Sequence, residues 1–139
     1  MVFLKWNSSF LVNIKEIDEQ HENLFKIINN LHRSLKMGEG EAFTKPILYS
    51  LLKEVIIHFQ TEEKWMKKYE YPELQKHYQA HQVYISEIKG FSIKNEKRTP
   101  LLARNLLLSL GGWYRVHITE YDKKFGKFLE EKNIQLNDN

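Results

Sequence analysis

From about residue 18 onward, apolar side chains recur every three or four positions, and the pattern breaks three times. Leu24, Ile27, Ile28, Leu31 and Leu35 form one stripe. That stripe predicts a first helix opening near Asp18 as N-cap and stopping around Met37-Gly38-Glu39-Gly40. A second helix starts between Glu41 and Pro46, since proline is tolerated only in a first turn. It runs through Leu48, Leu51, Leu52, Val55, Phe59, Trp65 and Met66 to about Tyr69. Pro72 suits the first residue of a third helix, which continues through Tyr84, Ile85 and Ile88 until Gly90 frays or ends it. Thr99-Pro100 makes an N-cap and first-turn pair for a fourth, ending near Glu131. Within it, Gly111-Gly112 costs roughly 1 kcal/mol per glycine relative to alanine, which points to close helix approach, a bend or a tolerated defect. Ahead of the first helix, Phe3, Trp6, Phe10 and Leu11 keep no helical period and read as an arm laying its aromatics on the body.

Short connections make consecutive helices antiparallel. The expected fold class is therefore all-α: an antiparallel up-down-up-down four-helix bundle with an N-terminal extended arm. The expected organisation is one domain over residues 1–139, with the arm at 1–17, the bundle at 18–132 and a short tail at 133–139.

Composition narrows the chemistry. A chain of 139 residues that is 42% hydrophobic can bury a core without covalent staples. The absence of cysteine excludes disulfides, thiolate zinc sites, Fe–S clusters and c-type haem attachment. No apolar run is long enough to span a bilayer, no signal-peptide cleavage pattern is present, and a net charge of +3 is too small to imply nucleic acid. Lys64, Lys67 and Lys68 read as a solvated helix face. The expectation is a cytoplasmic monomer that neither enters a membrane nor binds nucleic acid, with any protein partner unknown.

The histidines carry the function. His58 is followed four residues on by Glu62, His77 by His81 at the same spacing, and His117 by Asp122 five on, while His21 opens the first helix. Residues four apart share a helix face. In an antiparallel bundle all of these positions fall at one end, so they can converge. Asp122 is the least secure by geometry, because five residues turn an α-helix about 140°, and Glu120 is its rival. His32 lies roughly 16 Å along the helix from His21, too far to join. Imidazole and carboxylate without sulfur suit Fe, Zn, Mn or Ni. Seven ligands exceed a tetrahedral ion but suit two octahedral ones. If both carboxylates and one solvent-derived oxygen bridge the pair, one coordination position stays open for a small exogenous ligand.

In order along the chain stand Ile17-Asp18-Glu19-Gln20-His21, His58-x-x-x-Glu62, His77-x-x-x-His81 and Trp113-x-x-x-His117-Ile118-x-x-x-Asp122. Together they resemble the hemerythrins, specifically the bacterial ones, over roughly residues 6–128. The resemblance implies two iron ions with a bridging oxo or hydroxo group. His77, His81 and His117 would hold one iron, His21 and His58 the other, and Glu62 and Asp122 would bridge. It also implies reversible O2 binding at the iron with two histidines, for oxygen storage, delivery or buffering, with no catalytic residues. The alternatives are an O2 or redox sensor acting through a partner, and a di-iron enzyme handling peroxide or nitric oxide. Leu24, Trp113 and Ile118 match apolar positions that line the family's ligand pocket. Tyr114 departs from the family, where an aliphatic residue is usual. Its ring is expected to pack, and a sharper expectation has it gate or hydrogen-bond the pocket.

Overall fold

The computed structural model describes residues 4–38, 41–93 and 100–136. Its helices are α1 (Lys15–Lys36), α2 (Glu41–Lys68), α3 (Leu74–Ile93), α4 (Pro100–Val116), a π-helical segment (His117–Asp122) and α5 (Lys123–Glu131), and no strand occurs among the described residues. Val116 and Lys123, which flank the π segment, keep right-handed helical dihedrals. Thus α4, the π segment and α5 are one continuous rod. Four rods result, with α1 and α3 each packed against both α2 and α4, the square of a four-helix bundle.

Each rod buries one stripe. In α1 it is Ile17, His21, Leu24, Ile28 and Leu31, and in α2 it is Leu48, Leu51, Val55, His58, Phe59, Glu62 and Met66. Along α3 it is His77, His81, Tyr84 and Ile88, and the fourth rod buries Leu110, Tyr114, His117, Ile118, Asp122, Phe125 and Leu129. Polar side chains thus take core positions in one half of the bundle, while ordinary apolar packing fills the other. Beyond them, Tyr71 meets Phe125 and Phe128 edge-on with both centroid separations at 5.1 Å, closing the bundle at that end.

The arm is tied down by specific bonds. Leu4 donates its backbone N–H to Asn29 Oδ1 at 2.7 Å and accepts from Asn29 Nδ2 at 2.8 Å, so one side chain satisfies both backbone groups. A single 3₁₀ turn, Ser8–Phe10, folds Phe10 into the core against Phe25. Leu11 instead stands exposed, and Phe3 lies outside the described residues.

Several boundaries differ from the sequence expectation. Asp18 is not the N-cap of α1, which opens earlier, after Ile14. Its carboxylate reaches back to accept the backbone N–H groups of Val12 and Asn13 at 2.8 and 3.1 Å, fastening arm to helix. Pro46 lies inside α2, past its first turn. Pro72 sits in the turn before α3 rather than at its first position, and α3 passes through Gly90 without ending. Thr99 lies outside the described residues. At Gly112 an added Cβ would meet open space, so no close approach explains it. Close approach occurs at Gly126, where a Cβ would lie 2.5 Å from the Val12 carbonyl oxygen.

Candidate metal centre

The core stripes turn seven polar side chains toward one another: His21, His58, Glu62, His77, His81, His117 and Asp122, each buried to 2% exposure or less. Donor atoms of Glu62, His77, His81, His117 and Asp122 all lie within 4.8 Å of one another, as do those of His21, His58, Glu62 and Asp122. Both clusters contain the same two carboxylates.

The π segment brings Asp122 to the carboxylate position that both clusters share. Lys123 N–H bonds to the carbonyl of Ile118, five residues back, so the helix is wound wider here. Residues five apart then fall on one face, and Asp122 Oδ1 stands 3.1 Å from His117 Nε2. The Thr119 hydroxyl donates to the Arg115 and Val116 carbonyls at 3.0 and 3.2 Å, occupying backbone acceptors where the ladder changes register. Glu120 is exposed and lines an open surface groove of about 290 Å³ with Lys76 and Lys124.

The histidine nitrogens define a face. His117 Nε2 lies 3.0 Å from His81 Nε2 and 3.1 Å from His77 Nε2. Donors set at right angles around an ion with bonds of about 2.1 Å would be about 3.0 Å apart, so both spacings suit neighbouring positions on one octahedral ion.

Each carboxylate divides its oxygens between the clusters. Glu62 Oε1 faces His81 at 3.1 Å and His77 at 3.6 Å, while Oε2 faces His58 at 3.6 Å and His21 at 3.8 Å. Asp122 Oδ1 lies 2.9 Å from His77 Nε2, and Oδ2 lies 2.8 Å from His21 Nε2. These approaches lack the alignment of hydrogen bonds for His21, and both Glu62 oxygens and both Asp122 oxygens are buried without a hydrogen-bond partner among the described residues. Buried polar atoms without partners are costly, and a bound cation is one of the few things that compensates them. The donor set therefore fits metal ions.

Electrostatics reinforce this. Burial holds His58 and His81 well below the ordinary imidazole range, and His117 is lowered for the same leading reason. Neutral imidazole is the ligating form. Burial also works against charge on His77, but the adjacent Asp122 and Glu62 carboxylates outweigh it and its pKa is pushed up to about 10. Burial, with Asp122 nearby, raises Glu62 well above the carboxylate range. Asp122, despite its burial, is held well below that range by His117, His21 and His77.

Two of the clustered rings are oriented from outside. His58 donates its Nδ1–H to Gln20 Oε1 at 2.7 Å, and Gln20 Nε2 in turn donates to Thr61 Oγ1 at 3.3 Å. His81 donates Nδ1–H to Glu63 Oε2 at 2.7 Å. Each bond fixes the tautomer so that Nε2 faces inward. The sequence reading gave Gln20 and Glu63 no such role, although each adjoins a predicted ligand. Stacking holds two rings further: Phe59 lies flat on His81 at 3.7 Å, and His117 is sandwiched between Trp113 at 4.5 Å and Tyr121 at 5.0 Å.

Of the predicted pocket residues, Leu24, Tyr114 and Ile118 are fully buried and Trp113 is half-buried, packed on the core. Trp113 stands by His117, whereas Tyr114 stands by His21 and His58. His32 is not part of either cluster.

Fold and site together define a helical-bundle protein with a buried, carboxylate-sharing, nitrogen-rich donor cluster that fits cations. The sequence model of the Hemerythrin HHE cation binding domain matches residues 12–129, and the chain belongs to the hemerythrin family. It is 31% identical over 116 residues to a bacteriohemerythrin of Campylobacter jejuni, covering 84% of this chain and 87% of that one. A bacteriohemerythrin of Methylococcus capsulatus is 25% identical over 130 residues, covering 93% and 98% respectively. A myohemerythrin of Theromyzon tessulatum is 29% identical over 121 residues, covering 87% and 89%. A crystal structure of a hemerythrin single-site variant superposes with a TM-score of 0.79 at 25% identity, over 91% of this chain and 97% of that one.

Proposed function

We propose that the protein binds O2 reversibly at a di-iron centre, without catalytic turnover. The observation that carries this reading is the division of each carboxylate between a three-histidine and a two-histidine cluster. His77, His81 and His117 would hold one iron, His21 and His58 the other, with Glu62 and Asp122 shared between the two. When bound, two irons would supply two one-electron reducing equivalents and a place for a small exogenous ligand.

The chain's own contribution is to limit what can happen there. Five neutral imidazoles against two carboxylates leave little anionic charge to stabilise high oxidation states, which favours reversible binding over O–O cleavage. Gln20 and Glu63 keep ring nitrogens aimed at the metals, so little reorganisation accompanies a change of charge. Leu24, Tyr114 and Ile118 exclude water around the site. Among the described residues no helix is long and apolar enough to cross a membrane.

Repeated oxygenation in a stopped-flow cell tests the reading. Ferrous-loaded protein should take up O2, release it under argon and repeat the cycle with the same amplitude. A single irreversible oxidation accompanied by product turnover would favour an enzyme instead.

A further inference from the structure

Two buried tyrosines stand side by side in the core, with centroids 5.8 Å apart, and only one has its hydroxyl satisfied. Tyr84 donates to the Leu110 carbonyl at 3.1 Å. Tyr114, equally buried at 0% exposure, has no hydrogen-bond partner for its hydroxyl among the described residues. A phenol this deep ordinarily finds one, and leaving it unmade costs about 1–3 kcal/mol. Phenylalanine would fill the same space without that cost.

The position of the ring says what the hydroxyl is for. Tyr114 stands 5.7 Å from His21 at a near-perpendicular 86° and 6.3 Å from His58, and no ring contact links it to His77, His81 or His117. It therefore sits on the two-histidine side alone, one helical turn before His117.

We infer that Tyr114 is the hydrogen-bond donor of the ligand site, bonding through its O–H to a small anionic or electron-rich ligand held on the His21/His58 side. This rests on the di-iron reading above and deepens it. It makes the pocket selective for ligands with an exposed acceptor atom, and no bond is broken or electron moved by the tyrosine itself.

Azide binding to the diferric protein is the test, read from the azide-to-iron charge-transfer band. Tyr114→Phe, which removes only the hydroxyl, should weaken azide about tenfold and shift the band, and Tyr114→Leu should weaken it to the same degree or more. In the metal-free protein Tyr114→Phe should unfold at the same or a higher temperature, because no protein partner is lost. Unchanged azide affinity and band in Tyr114→Phe would overturn the inference while leaving the di-iron reading intact. So would weakening in Tyr114→Leu alone, or a fall in metal-free stability of Tyr114→Phe, either of which makes the residue a packing element. A wild-type protein that carries two irons but shows no azide band would overturn both.

Discussion

Asp122 reaches His117, with Oδ1 3.1 Å from Nε2, only because the helix between them is wound as a π segment. In an α-helix the two would diverge by about 140°. The extra width of one turn is thus what supplies the second shared carboxylate. Asp122→Asn should reduce bound metal from two ions per chain to one or none, whereas Glu120→Gln should leave it at two. Metal content after desalting checks this, and loss of metal in the Glu120 variant would refute the assignment.

Gln20 and Glu63 each orient one imidazole, but on different halves of the site. Removing such a partner typically costs roughly 10–100-fold in metal affinity. Gln20→Ala should loosen the metal held by His58, and Glu63→Ala the one held by His81. Calorimetric titration with Co2+ should resolve two binding steps, with a different one weakened in each variant.

The metal-free and metal-loaded proteins should respond differently to alkali. His77 has a folded value of about 10 against an ordinary 6.5, so its stabilisation is complete below pH 6.5 and fades as pH rises through about 10. His58, His81 and His117 are lowered, so the stability tied to them is lost as pH falls below 6.5. Chelator-treated protein should therefore be most stable near neutrality and weaken toward pH 10. Metal displaces the His77 proton, so the loaded protein should show no such alkaline decline, and metal uptake at pH 7 should release protons to a dye in weak buffer. Urea unfolding of both forms across pH 6–10 reads the difference.

Gly126 lets the arm cross α5 at the Val12 carbonyl. In Gly126→Ala the new methyl would lie 2.5 Å from that oxygen, and neither backbone can yield easily. The expected loss is about 1–3 kcal/mol, as for overpacking elsewhere, seen as a lower thermal midpoint. Gly112→Ala, with open space around it, should do no harm and serves as the control.

The bundle was legible because each rod repeats its apolar positions every three or four residues, and candidate ligands such as His21 and His81 simply occupy those positions. The π segment was not legible, since nothing in His117-Ile118-Thr119-Glu120-Tyr121-Asp122 marks a change of winding. Local geometry alone would have favoured Glu120. Asp18 misled for a related reason: its side chain serves the arm's backbone rather than the helix's, a choice set by tertiary packing. Glu63 could have been suspected only from the need of a buried imidazole for an outer partner. The contact at Gly126 depends on where the arm runs, which no periodicity encodes.

The most direct test is the optical spectrum of the two-iron protein recorded with and without O2. The account predicts near-ultraviolet bands of a bridged di-iron unit and a visible charge-transfer band that vanishes when O2 is removed and returns when it is restored. Two bound irons with no visible band that follows O2 would contradict it.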